Sequence, residues 1–272
     1  MVYIVFGKNN IMVKIISGYS AEGGSTTILI NLTNMFNERG VETIFYGPND
    51  FHLNKCKSDK LNNIKVEKDD ILLTHFLKLE KRPDVKSVVL CCHEKWWFEV
   101  ADIPKYWDTL VFSHEEHRKY HSRYNGSYTT IPNPKELLLP KEKPELNLVA
   151  GVIGTVEERK QTHTSIERAL ADGCTKIYIY GKIIMDGYYN KNIKKYENNP
   201  HIEFVGYTNS KQEMYDSVGR VYHSSIGEVA CLVKDECHFT NTMFYGCDQT
   251  THEVSELTND QIFNLWKEVL KF

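Results

Sequence analysis

Apolar residues recur along this chain in two alternating spacings. Residues 13–17, 71–74, 87–92 and 109–112 are short apolar runs that end in polar residues. That pattern marks parallel strands covered on both faces. Behind the first run, Ile28, Leu29, Leu32, Met35 and Phe36 fall at helical spacing, with Ser25 as the expected N-cap and Gly40 as the closing residue. Residues 41–46 return as a strand and complete a βαβ unit. A last short strand is expected at 129–131.

The pattern then starts again. Residues 147–153 read as a strand, 154–160 as a loop and 164–171 as a helix; further strands are expected at 176–180, 202–205 and 221–223, a helix at 211–217 and a final amphipathic helix at 260–270. Between the halves, residues 132–147 carry Pro132, Pro134, Pro140 and Pro144 amid alternating charge, which reads as a linker. The expected organisation is α/β, with two Rossmann-like lobes at 12–134 and 147–257 and a helix at 258–272 crossing back to the first lobe. In such sheets ligands bind beyond the carboxyl ends of the strands, so the two lobes are expected to face a cleft.

Composition narrows the function classes. The 272 residues include 33 basic and 36 acidic side chains, a formal net charge of -3. Nothing in that balance or its distribution forms a footprint for nucleic acid, and the basic stretch Lys191, Lys194, Lys195 reads as a solvated face. No apolar run reaches the roughly 20 residues that span a bilayer, so any membrane contact is expected to be peripheral. Seven cysteines, two of them adjacent and none in a CxxC pair, read as reduced, mostly buried thiols of a cytoplasmic protein. Met12 opens a better strand than the true start, so residues 1–11 read as an upstream extension.

Several clusters could carry chemistry. Glu228 and Glu236, with seven residues between them, flank a loop and the expected start of a helix. Two carboxylates so placed can hold different hydroxyl groups of one sugar nucleotide, while backbone N–H groups at a helix start, with Leu232 and Val233 as candidates, can meet phosphates. The same spacing also suits two surface glutamates. His114, His117 and His121 share a helical face but lack the HExxH spacing, and read as surface or cleft-lining residues rather than metal ligands. Trp96, Trp97 and Phe98 suit packing at a lobe's rim better than stacking on an acceptor sugar. No Asp-x-Asp occurs, so no acidic pair is available to hold a cation on a diphosphate.

In order, these motifs resemble the group 1 retaining glycosyltransferases, whose fold is GT-B. Ser225, Glu228 and Glu236 fit that family's serine and glutamate pair, and the loop from Gly154 to Lys160 resembles its loop with a lysine six residues after a glycine. Gly181, Gly206 and Met214-Tyr215 follow in the family's order. In the first half, Gly18 to Gly24 resembles the family's glycine loop, with Gly23 and Gly24 at its end. Residues 70–75, ending in His75, and 88–94, ending in His93 and Glu94, resemble its histidine-terminated strands, and Ile131-Pro-Asn133 resembles the motif before its linker. The resemblance spans about residues 12–255.

It implies transfer of a sugar from a nucleoside diphosphate sugar to a carbohydrate or lipid-linked acceptor, with retention and with neither metal nor cofactor. Lys160 and Arg159 would stabilise the leaving diphosphate, Glu236 would hold the ribose, Glu228 the donor sugar, and His93 would contact the donor. Three positions and one segment depart from the pattern: Thr155 replaces the usual arginine, Gln161 and Val229 replace glycines, and Cys237 to Gly246 replaces small residues and a Gly-x-Pro turn. Thr155 and the altered segment after Glu236 keep open a degenerate protein that only binds glycan or nucleotide. A second alternative on the same fold is another nucleotide-sugar enzyme such as an epimerase, which would need extra acidic and histidine residues beyond His75, His93 and Glu94.

Overall fold

The computed structural model describes residues 12–19, 23–94, 106–122, 124–208 and 210–272. Residues 1–11, the middle of the first glycine loop and the aromatic run at 96–98 lie outside the described residues. The chain forms two compact units. The first reaches Lys135 and takes back Glu256–Phe272; the second is Glu136–Ser255.

Among the described residues, the first unit holds seven parallel strands: β1 (Val13–Ser17), β2 (Thr43–Gly47), β3 (Ser58–Lys60), β4 (Ile71–His75), β5 (Ser87–Cys92), β6 (Thr109–Phe112) and β7 (Tyr128–Thr130). Their order is β3-β2-β1-β4-β5-β6-β7. Strand alternation sorts the core into two layers. Val13 and Ile15 pack with Leu29, Leu32 and Phe36 of helix α1 (Gly24–Glu38), whereas Ile16 turns to the other face with Leu72, Val88, Leu90 and Phe112. Ile262, Trp266 and Leu270 of the C-terminal helix (Asn259–Leu270) complete the α1 layer. Arg39 ties the two helices together through Asp260 at 2.5 Å. A short helix, α2 (Glu115–Lys119), follows β6.

The second unit is a five-stranded parallel sheet ordered β10-β9-β8-β11-β12. Its strands are β8 (Val149–Ile153), β9 (Lys176–Tyr180), β10 (Ile202–Gly206), β11 (Arg220–Tyr222) and β12 (Met243–Tyr245). They are joined by α3 (Thr162–Ala171), the single turn α4 (Asp186–Tyr188), α5 (Lys211–Asp216) and α6 (Leu232–Phe239), which makes the C-terminal helix α7. Both sheets therefore reverse direction of growth at one place, between β1 and β4 and between β8 and β11. That switch point is where an open parallel sheet leaves a crevice at the strands' carboxyl ends.

Three expectations need correction. Ser25 does not cap α1: Gly23 is the N-cap and offers no side chain, while the Ser25 hydroxyl donates to Glu94 Oε1 at 2.8 Å. The carboxylate is the stronger acceptor and claims the hydroxyl. The helix expected from residue 164 starts at Thr162, because Gln161 already sits at its N-cap. The proline-rich segment is not a free linker, since most of it belongs to the second unit. Leu138 packs into that unit's core, and the buried Lys143 donates to Tyr215 O and Thr242 Oγ1, both at 2.8 Å. Gly40 does follow the end of α1 in the left-handed region, at φ 78°.

Candidate functional site

In the second unit, two loops meet at the carboxyl ends of β8 and β11. The first, after β8, needs glycine at its base. Gly181 lies at φ 150°, and a Cβ there would sit 1.9 Å from Gly154 O. The backbones of the β8 and β9 turns thus touch, and Gly154 N donates to Tyr180 O at 2.8 Å. From this base the loop climbs to Lys160 and Arg159. Gln161 next to them holds φ 48°, a left-handed conformation that costs a non-glycine residue about 1–2 kcal/mol. Its side chain folds back to donate to Glu158 O at 2.6 Å. The glycine of the resembling family is gone here, but the backbone shape that glycine favours remains.

The second loop, after β11, is laced to the first. Ile226 N donates to Arg159 O at 2.9 Å and the buried Ser225 hydroxyl donates to the same carbonyl at 3.2 Å. Arg159 in turn donates to Gly227 O at 3.1 Å and to Glu157 Oε1 at 2.9 Å. Thr155, at the position of the family's arginine, also donates to Glu157 Oε1, at 2.7 Å. Ser225 thus acts on the loop itself, while the Arg159 guanidinium stays half exposed beside it.

The centre of the cluster is Glu228. Its Oε1 accepts from Lys160 Nζ at 2.5 Å and lies 3.0 Å from His223 Nε2, with Arg159 Nη1 at 4.0 Å. Burial works to raise the Glu228 pKa, but the His223 hydrogen bond and the Lys160 charge outweigh it and hold the carboxyl well below its usual range. Glu228 is therefore an anion at any physiological pH. Cys231, buried and at the N-cap of α6, brings its thiol to the same place: His223, Glu228 and Cys231 offer ligand atoms all within 4.8 Å of one another. Leu232 and Val233 are the first residues of α6, whose N–H groups no intrahelical carbonyl can reach.

Glu236 stands apart from Glu228 in its bonding. Lys211 Nζ donates to its Oε1 at 2.7 Å and the buried Tyr215 hydroxyl to its Oε2 at 2.6 Å; Lys211 also reaches Glu136 at 2.5 Å. Burial pushes the Glu236 carboxyl up despite Lys211 and Tyr215. Each carboxylate oxygen keeps a second lone pair, so the group can still accept from a ligand hydroxyl.

The first unit gathers its own polar cluster at the ends of β1, β4 and β5. Ser17 Oγ lies 3.0 Å from His75 Nδ1, and His75 Nε2 lies 3.8 Å from Glu94 Oε1, the oxygen that Ser25 also reaches. The His93 ring stands 5.2 Å from that of His75, and its Nδ1 is buried without a hydrogen-bond partner among the described residues. Burial first, then the neighbouring His75 and His117, hold the His93 pKa well below normal. Gly23 and Gly24 open α1 beside this cluster. His117 and His121 do not form a metal triad with His114; both Nε2 atoms face Glu94 O, at 3.3 and 3.2 Å, and His114 instead caps α2.

The structure thus brings together Lys160, Arg159, Ser225 and Glu228, and leaves Glu236 in a separate ion pair. Sequence reading missed His223 and Cys231 as members of the site. His223 directly follows β11, and the rule that ligands lie beyond strand ends could have found it; a buried cysteine in an apolar stretch gave no such signal.

No protein-family profile and no curated protein matches this chain. Its fold is nevertheless that of the GT-B glycosyltransferases, two parallel-sheet α/β units. HepE of Anabaena, solved with UDP and glucose, has a TM-score of 0.68 at 12% identity, over 96% of this chain and 90% of that one. The pneumococcal O-GlcNAc transferase GtfA, solved with UDP and GlcNAc, gives 0.66 at 9% identity, over 97% and 94%. The lipopolysaccharide outer core galactosyltransferase WaaB gives 0.61 at 12%, over 96% and 90%.

Proposed function

We propose that this chain is a retaining glycosyltransferase that moves a sugar from a nucleoside diphosphate sugar to a carbohydrate or lipid-linked acceptor, without a metal. The observation that carries the reading is the Lys160–Glu228 pair at the switch point of the second unit, with Arg159 beside it. The fold shared with solved glycosyltransferases, two of them holding UDP with a sugar, supports it.

Cleavage of the donor's sugar–phosphate bond leaves a nucleoside diphosphate and a cation-like sugar. Lys160 and the half-exposed Arg159 supply the positive charge that gains value as negative charge builds on the leaving group. The first-turn N–H groups of Leu232 and Val233 add oriented dipoles at the start of α6. Glu228, kept ionised, accepts hydrogen bonds from donor-sugar hydroxyls, and Glu236 accepts from the ribose. His93, a neutral imidazole whose buried Nδ1 has no partner among the described residues, offers a hydrogen bond to substrate. The cationic side chains and N–H dipoles of the second unit can thus do the work assigned elsewhere to a bound cation.

A thermal-shift panel of nucleoside diphosphates and their sugars would identify the donor, because a ligand of the native state raises apparent stability. With that donor, Lys160→Ala should lower turnover more than it weakens binding, whereas Glu236→Ala should weaken nucleotide and nucleotide sugar alike. Glu228→Ala should affect the sugar donor and spare free nucleotide. Excess chelator should leave transfer intact. Variants that bind and turn over like the wild type, or activity lost to chelator and restored by manganese, would refute the reading.

A further inference from the structure

The site contains more coordinating chemistry than the proposed reaction uses. His223 and Cys231 are 3% and 1% exposed, and each turns a ligand atom toward the Glu228 carboxylate. The histidine is the residue after β11 and the cysteine is the N-cap of α6, so two secondary-structure ends fix their backbones.

We propose that His223, Glu228 and Cys231 form a site for one thiophilic divalent cation of the zinc class, with Lys160 as its built-in competitor. An imidazole, a carboxylate and a thiolate are the three donor types that zinc accepts, and water completes four-coordination. Bond lengths of about 2.0–2.3 Å in a tetrahedron place neighbouring ligand atoms roughly 3.3–3.6 Å apart. The pair His223 Nε2–Glu228 Oε1 is at 3.0 Å and the whole set spans no more than 4.8 Å. Side-chain shifts of about 1 Å close such a set around the ion.

Charge balance shows what occupancy demands. Cys231 gives up its thiol proton to solvent as the metal–sulfur bond forms, and the thiolate and carboxylate then neutralise the dication. Lys160 must leave Glu228, because a second cation 2.5 Å from the same oxygen repels the ion. Its side chain is the more exposed of the pair and can swing into water. Metal and lysine are thus alternative partners of one carboxylate. The site takes the cation only at the expense of the Lys160–Glu228 pair, which goes beyond the proposed function and does not depend on it.

The test titrates Co²⁺ into the purified full-length protein under thiol-free reducing conditions. One equivalent should produce a thiolate-to-cobalt charge-transfer band that Zn²⁺ displaces. Cys231→Ser and His223→Ala should each weaken binding by about tenfold or more, since even an outer-shell partner is worth 10–100-fold. Cys231→Ser should also erase the band, and serine is a favourable residue at the N-cap of α6. Cys56→Ser and Cys247→Ser, at the two thiols that are not buried, should leave it unchanged. Lys160→Met should tighten binding. Absorption-edge spectroscopy on the zinc-loaded wild type needs no variant, and should find one sulfur at about 2.3 Å among nitrogen and oxygen ligands. A missing band, a band that survives Cys231→Ser, or a zinc shell with no sulfur or with two would overturn the proposal.

Discussion

Replacing Glu228 by glutamine keeps the side chain's shape and removes its charge, so it isolates the electrostatic part of the cluster. Lys160 Nζ at 2.5 Å and His223 Nε2 at 3.0 Å both lose their anionic partner. Exposed ion pairs contribute about 0.2–1 kcal/mol, whereas breaking a buried one costs about 3–5 kcal/mol. The Lys160 and Glu228 side chains are 18% and 10% exposed, which places the pair toward the buried end, with an escape to water open to the lysine. Glu228→Gln should therefore destabilise the second unit by roughly 2–3 kcal/mol, and Lys160→Met by about 2 kcal/mol because His223 still contacts the carboxylate. The double variant should lose less than the sum, leaving a coupling of about 1–2 kcal/mol. Urea unfolding followed by far-ultraviolet circular dichroism reads both units. Tryptophan fluorescence serves as the control, since the second unit contains no tryptophan. The depressed pKa fixes the pH dependence: the wild-type advantage should be constant above about pH 5, and should shrink as pH falls below the unfolded value of about 4.3 toward the native one. A Glu228→Gln protein as stable as wild type, or an advantage that grows on acidification, would refute the reasoning.

Gly181→Ala should destabilise by about 1–3 kcal/mol through strain at φ 150° and the clash with Gly154 O, whereas Gly187→Ala, with open space at its Cβ position, should be tolerated; unfolding midpoints check both. Tyr215→Phe should cost about 1–3 kcal/mol by removing the donor to Glu236 Oε2, measured the same way. In the first unit, burial lowers the His117 pKa to about 3, so its neutral form stabilises the fold fully above the unfolded pKa of about 6.5. That stability should fall with pH from there toward 3, by up to about 1.4 kcal/mol per unit, and His117→Gln should flatten the slope.

The strands legible in the sequence are those with two covered faces. Residues 87–92 read as a strand because Val88, Val89, Leu90, Cys91 and Cys92 are all apolar, and all five are buried. The strands that escaped notice are edges. β3 is Ser-Asp-Lys, with no apolar residue, and β12 is Met-Phe-Tyr, apolar but too short to stand out; each is three residues long and paired on one side only. The site divides similarly. Lys160 and Glu228 lie 68 positions apart, and only the order of a family's motifs could suggest their meeting. Ser25 was misread because N-cap preference is local, while its acceptor Glu94 is 69 positions away. Gln161 reads in the sequence only as a departure from the family's glycine, yet the chain holds the left-handed conformation there and bears the strain.

The two switch points differ in charge, and that difference bears on which chemical groups each can bind. In the first unit, burial holds His93, His117 and His121 toward their neutral forms, and the nearby carboxylate is Glu94. These groups offer hydrogen bonds suited to hydroxyls rather than positive charge for phosphate. In the second unit, Lys160 and Arg159 crowd one ionised carboxylate, and Arg159 remains half in solvent. Glu157 also holds Arg159, at 2.9 Å, so the two cations are matched by two carboxylates, and their charge would become available to a bound diphosphate as those pairs open. The same arithmetic explains why Glu228 matters to stability before any ligand arrives. Without it, Lys160 would lose its carboxylate partner and Arg159 would keep only Glu157, across loops held by the 2.9 Å bond from Ile226 N to Arg159 O. Glu228 therefore keeps the cations assembled, and a donor that brings its own negative charge relaxes the dependence on that carboxylate. Nucleoside diphosphate should accordingly restore more thermal stability to Glu228→Gln than it adds to the wild type; equal shifts would show that the two anions do not share the same cations.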